Sequence, residues 1–143
     1  MKNSKINKTD LVIGIGFIAI PLITGLLNYL ILAPETMVTQ LFGKLFGIDI
    51  AFTPHNTILI YIRYYLSDIC WAVALVNSLL LILGNTKKNA WIPLIVASVF
   101  CVIVESFQLF GFIKGTFDFF DILIELVATV TSWLISTKIR FKK

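Results

Sequence analysis

Residues 11–33 read LVIGIGFIAIPLITGLLNYLILA, and this stretch, Leu11 to Ala33, decides the fold class. Its 23 residues contain only Thr24 and Asn28 as clearly polar members, with Pro21 expected to kink the run. About 20 mostly apolar residues in a helix cross the roughly 30 Å hydrocarbon layer of a bilayer, so the stretch is long enough to span. Lys2, Lys5 and Lys8 precede it in the manner of a signal peptide. The run exceeds the roughly 7–15 residues of a secretory apolar core and lacks a small-x-small cleavage site, so it reads as a retained first span.

The remainder has the same character. Of 143 residues, 58% are apolar and 14% charged, with a mean hydropathy of +0.93. Soluble proteins are roughly 45–50% apolar and roughly 25% charged, and a soluble fold of this length could not hide so much hydrocarbon. A secreted disulfide scaffold, a disordered tail and an ordinary cytosolic enzyme are excluded. Three more stretches qualify as spans: about 62–83, whose start falls anywhere between Thr57 and Tyr65; about 90–113; and about 119–137. The expected fold is an all-α integral membrane protein, a four-transmembrane-helix bundle forming one domain over residues 1–143.

The few charges then sort by side. With four crossings, Lys2, Lys5, Lys8, Lys87, Lys88, Lys138, Arg140, Lys142 and Lys143 share one side, against Lys44, Arg63 and Lys114 on the other. The positive-inside rule places the first group, and both termini, on the cytoplasmic side of a multi-pass membrane protein. The net charge of +4 therefore needs no nucleic-acid partner, and basic span ends also suit anionic lipid. Seven of the eight acids (Glu35, Asp49, Asp68, Glu105, Asp118, Asp121 and Glu125) fall toward the opposite side, where His55 also lies. Acids contribute little to orientation, so their clustering needs its own explanation.

Between Pro34 and His55, Met37, Val38, Leu41, Phe42, Leu45 and Phe46 recur at helical spacing, opposite Thr39, Gln40, Gly43, Lys44 and Gly47. The pattern predicts a short amphipathic helix in the outer membrane interface. Thr53-Pro54-His55-Asn56 reads as a turn into the second span. Glu105 and Gln108, at i and i+3, share a face of the third span, while Asp118, Asp121 and Glu125 share one on the fourth. A short connection makes these two helices antiparallel neighbours, so their polar faces can meet. Arg63, Ser67 and Asp68 lie on the second span.

Ionisable groups inside a membrane cost about 2.5–3.5 kcal/mol each on insertion scales; they face the bundle interior or a watery cavity and pair. Arg63 is the expected partner for Glu105 or Asp68, and Lys114 for Asp118. The expected ligand-binding set is Arg63, Asp68, Glu105, Gln108, Asp118 and Asp121, forming a polar pocket open to the outer leaflet, with Glu125 deeper. A network that merely hydrogen-bonds the helices together is the plainer alternative.

Glu105-Ser106-Phe107-Gln108 followed by Gly115-Thr116-Phe117-Asp118-Phe119-Phe120-Asp121 resembles the E-x-x-Q … D-x-x-D signature of the VanZ-like membrane proteins, and Tyr65-Leu66-Ser67-Asp68-Ile69-Cys70-Trp71 is similar to a span-opening segment of small members. The resemblance runs from about Tyr61 to Trp133. It implies a small helical bundle in a bacterial plasma membrane and, through the family's namesake, an influence on susceptibility to the glycopeptide antibiotic teicoplanin. It supplies no reaction. Glu125 stands where the family usually has Asn, and Ala128 where a glycine is common.

No cofactor fingerprint is present. Gly14-Ile15-Gly16 fits close helix approach better than a nucleotide loop. Cys70 and Cys101 form no C-x-x-C, and one His with no nearby Cys makes a poor zinc site, so both thiols read as packing residues and no metal ligand or catalytic residue is assigned. Trp71, Trp91 and Trp133 read as bundle or interfacial aromatics. The leading expectation is a protein that binds an envelope lipid head group or an amphiphilic small molecule. The alternatives are a metal-assisted hydrolase or transferase on a lipid-linked substrate, and an accessory subunit whose acids contact a membrane-protein partner. Self-association is compatible with so small a bundle.

Overall fold

A computed structural model describes residues 8–33, 36–47, 55–83, 86–113 and 117–141. It contains α1 (Lys8–Leu32), α2 (Met37–Phe46), α3 (Thr57–Ile82), a short 3₁₀ turn (Lys87–Asn89), α4 (Trp91–Leu109) and α5 (Phe119–Phe141). No strand occurs among the described residues. The helices α1, α3, α4 and α5 are long and apolar enough to cross a membrane. The central element is α3, which packs against α1, α4 and α5, while α4 and α5 also pack on each other and α2 rests on α1.

The side chains are sorted as a bilayer requires. Ala72, Ala74, Val76, Ala97, Ser67, Asn77, Thr129, Ser132 and Ser136 are buried, whereas Leu22, Ile23, Val99, Phe100, Val127 and Ile135 are exposed. In water this would be inside out. In lipid, large apolar side chains face the tails, and small or polar residues let helices approach and hydrogen-bond. The chain is a multi-pass membrane protein.

The helix boundaries refine the sequence reading. The second span begins at Thr57, because the Asn56 side chain caps it by accepting from the Ile58 N–H at 2.9 Å. The third ends at Leu109 rather than near 113, where Gly111 takes a left-handed φ of 72°. The fourth runs to Phe141, past the end of its apolar run, because Lys138 and Arg140 suit the negative end of the helix dipole. Pro21 sits inside a continuous α1. The amphipathic pattern does form the helix α2, capped by Thr36 and Gly47; Thr39 Oγ1 ties it to the Tyr29 and Ala33 carbonyls of the α1 end at 2.9 and 3.0 Å. Of the expected Thr53–Asn56 turn, residues 53 and 54 lie outside the described residues.

Polar ties hold the bundle along its length. Asn28 Nδ2 on α1 donates to Ser67 Oγ (2.8 Å) and to the Arg63 carbonyl (3.2 Å) on α3. Asn77 donates to Ser132 Oγ at 2.7 Å and accepts from Ser136 at 2.6 Å, joining α3 to α5. At the basic end Trp133 Nε1 donates to the Ala90 carbonyl and Arg140 to the Leu80 carbonyl, both at 2.6 Å.

Glycine spacing matters at Gly25, where an added Cβ would lie 3.3 Å from the Cys70 Cβ and near the Ser67 backbone. The expected Gly14–Gly16 contact is half present: a Cβ at Gly14 would press on the Leu81 side chain, while Gly16 faces open space. Gly25→Leu is therefore expected to lower stability by about 1–3 kcal/mol through overpacking, and Gly16→Ala to leave it unchanged. Thermal unfolding of the two variants in neutral detergent checks the contrast.

Candidate functional site

Three helices bring the acids to one end of the bundle. Glu105 follows Cys101 by one turn on the inward face of α4, and both are buried, at 4% and 0% exposure. Glu125 and Thr129 form the matching pair one turn apart on α5, at 2% and 0%. The Cys101 thiol lies beside the Glu125 carboxylate and the Thr129 hydroxyl. From α3, Asp68 comes within electrostatic reach of Asp121, Glu125 and Glu105, and Glu105 in turn of Asp118 and Asp121.

Among the described residues, neutral side chains donate to the two buried carboxylates. Trp71 Nε1 donates to Glu125 Oε1 at 2.9 Å, and Gln108 Nε2 donates to Glu105 Oε1 at 3.3 Å. The Oε2 atoms of both glutamates, and Thr129 Oγ1, are buried with no hydrogen-bond partner among the described residues. Buried polar atoms are ordinarily satisfied by protein or water, and these three oxygens set the acidic end apart from the matched Asn77–Ser132–Ser136 cluster.

Glu105 and Gln108 share a face and touch, as their spacing predicts. Arg63, the expected partner of Glu105 or Asp68, instead lies with its guanidinium 5.6 Å from the centre of the Tyr64 ring. Arg63 is half-buried and shares a face with Ser67 one turn on; Asn28 donates to the Arg63 carbonyl and the Ser67 hydroxyl, so this face of α3 is turned toward α1. Lys114, expected beside Asp118, lies outside the described residues. Asp118 has a structural task as well, since its Oδ1 accepts from the Phe120 N–H at 2.9 Å and caps α5.

Two contributions escape a search for charges. Trp71, read as a packing aromatic, is the donor to Glu125; its position three residues after Asp68 is the signal that places it on the acidic face. Tyr61, Tyr64 and Tyr65, at i, i+3 and i+4, line an open cavity of about 400 Å³ together with Asp118 and Asp121. Among the described residues no three His, Cys, Asp or Glu side chains converge closely enough to hold a metal ion.

No family model, curated protein or solved structure matches the chain. The resemblance carried by E-x-x-Q and D-x-x-D therefore rests on those residues alone.

Replacing Trp71 with Phe keeps the ring and removes the donor, leaving the Glu125 carboxylate without its hydrogen bond. The expected cost is about 1–3 kcal/mol, largely relieved when Glu125→Leu is added in the same chain. A double-mutant cycle on thermal stability measures the coupling.

Proposed function

We propose that the chain binds the polar head of an envelope lipid or amphiphilic small molecule at the acidic end of the bundle, with that end facing outward and both termini in the cytoplasm of a plasma membrane. The observation that carries this reading is the meeting of acids from α3, α4 and α5, two of them buried with an unpartnered oxygen, beside an open cavity. Intramembrane ionisable residues are costly, and they mark ligand or ion pathways where they gather. A bundle needing only adhesion has cheaper means, as the neutral Asn77–Ser132–Ser136 cluster illustrates.

The cavity opens between the first turns of α3 and the first turn of α5, the span ends that on this reading meet the head groups of the bilayer. An amphiphile arriving there keeps its chain in lipid and presents its head to Tyr61, Tyr64, Asp118 and Asp121. The short helix α2, apolar on one face, joins the same end and serves as an interfacial cover. In line with the VanZ-like resemblance, occupancy of this site alters susceptibility to glycopeptide antibiotics of the teicoplanin type.

Expression in a susceptible bacterium is expected to raise the inhibitory concentration of teicoplanin. Glu105→Gln and Asp121→Asn, at wild-type abundance in the membrane, are expected to return it to that of the empty vector. Unchanged protection in both variants would defeat the reading.

A further inference from the structure

We propose that the groove between the tyrosines of α3 and the aspartates of α5 receives a ligand's ammonium group. The inference rests on the head-group reading above and names the class of head. Tyr61 and Tyr65 stack one turn apart, with ring centres 6.1 Å apart and planes within 15° of parallel, and Tyr64 completes the wall. Asp118 and Asp121 line the same cavity from α5. Aromatic faces carry negative charge density and hold cations over the ring, quaternary ammonium groups above all, and carboxylates add the counter-charge. The wall already shows this chemistry within the chain, where the Arg63 guanidinium lies over the Tyr64 ring.

The surroundings favour a cation further. Glu105, on the inward face of α4, is 4% exposed and lies within electrostatic reach of both Asp118 and Asp121. A phosphate or carboxylate head brought here would meet this field as repulsion; an ammonium group would relieve it. Tyr61 is 59% exposed, so its ring is open to a head group arriving along the membrane. A cavity of about 400 Å³ admits a methylated or primary ammonium without rearrangement.

The test uses the full chain in neutral maltoside micelles, titrated calorimetrically with dodecyltrimethylammonium, with laurate as its anionic counterpart and with tetramethylammonium as the free cation. Saturable binding of dodecyltrimethylammonium and much weaker binding of laurate are expected. Asp121→Asn, and Tyr61→Leu with Tyr65→Leu, are expected to weaken the former about tenfold, the size of one partly desolvated cation–π contact. Tyr61→Phe with Tyr65→Phe is expected to restore it, because the ring and not the hydroxyl holds the cation. All variants are compared after their helicity and monodispersity match the parent.

Laurate binding as tightly as dodecyltrimethylammonium overturns the ammonium class while leaving a head-group site. Absence of saturable binding by either amphiphile overturns both readings. Leucine variants that bind like the parent, or phenylalanine variants as weak as the leucine ones, overturn the aromatic wall. Tetramethylammonium binding nearly as well as its dodecyl homologue identifies a free amine as the ligand source, and far weaker binding identifies a membrane amphiphile.

Discussion

Hydrocarbon offers no hydrogen bonds, and the bundle is arranged around that constraint. Polar groups carried into the membrane turn inward and find one another. The face of α5 shows it most fully. Asp118, Asp121, Glu125, Thr129, Ser132, Ser136 and Arg140 follow at steps of three and four, so one polar stripe runs the length of the helix. The other elements take their positions from it: α3 meets the stripe with Trp71, Asn77 and the Leu80 carbonyl, and α4 with Cys101 and Glu105.

Along that stripe the chemistry changes with depth. Toward the basic end polar side chains meet partners, as in the Asn77 cluster and the Arg140 contact with Leu80. Toward the acidic end Trp71, Gln108 and the Phe120 N–H reach carboxylates, while oxygens on Glu105, Glu125 and Thr129 have no hydrogen-bond partner among the described residues. One half of the seam is closed by matched neutral hydrogen bonds and the other carries the carboxylates, although both are built from the same repeat of side chains.

Much of this was legible in the sequence because it depends on spacing alone. Spans follow from the length of apolar runs, and the Glu105–Gln108 contact follows from a separation of three on a helix. What spacing does not give is how each helix is turned toward its neighbours. Charge alone pairs Arg63 with Glu105 or Asp68, yet Arg63 shares a face with Ser67, and the bonds of Asn28 to both turn that face toward α1. Helix ends were blurred for a related reason: the apolar run of α5 stops before the helix does, while α4 stops at the Gly111 turn although apolar residues continue. The tyrosines and Trp71 stayed hidden because aromatic residues are expected at membrane boundaries, where their common role masks a particular one.

The polar stripe on α5 also bears on how the protein is made. As a single segment, α5 carries Asp121 and Glu125 and has the lowest mean hydropathy of the four spans, at 1.7 against 2.2 for the first. Left alone in a bilayer it would expose those carboxylates to lipid tails. It emerges from the ribosome after α3 and α4, the two helices that cover its acids, so the surface it needs has been synthesised by the time it arrives. Chain order thus works as a biogenesis programme, in which the earlier spans act as an internal chaperone for the last helix of the bundle.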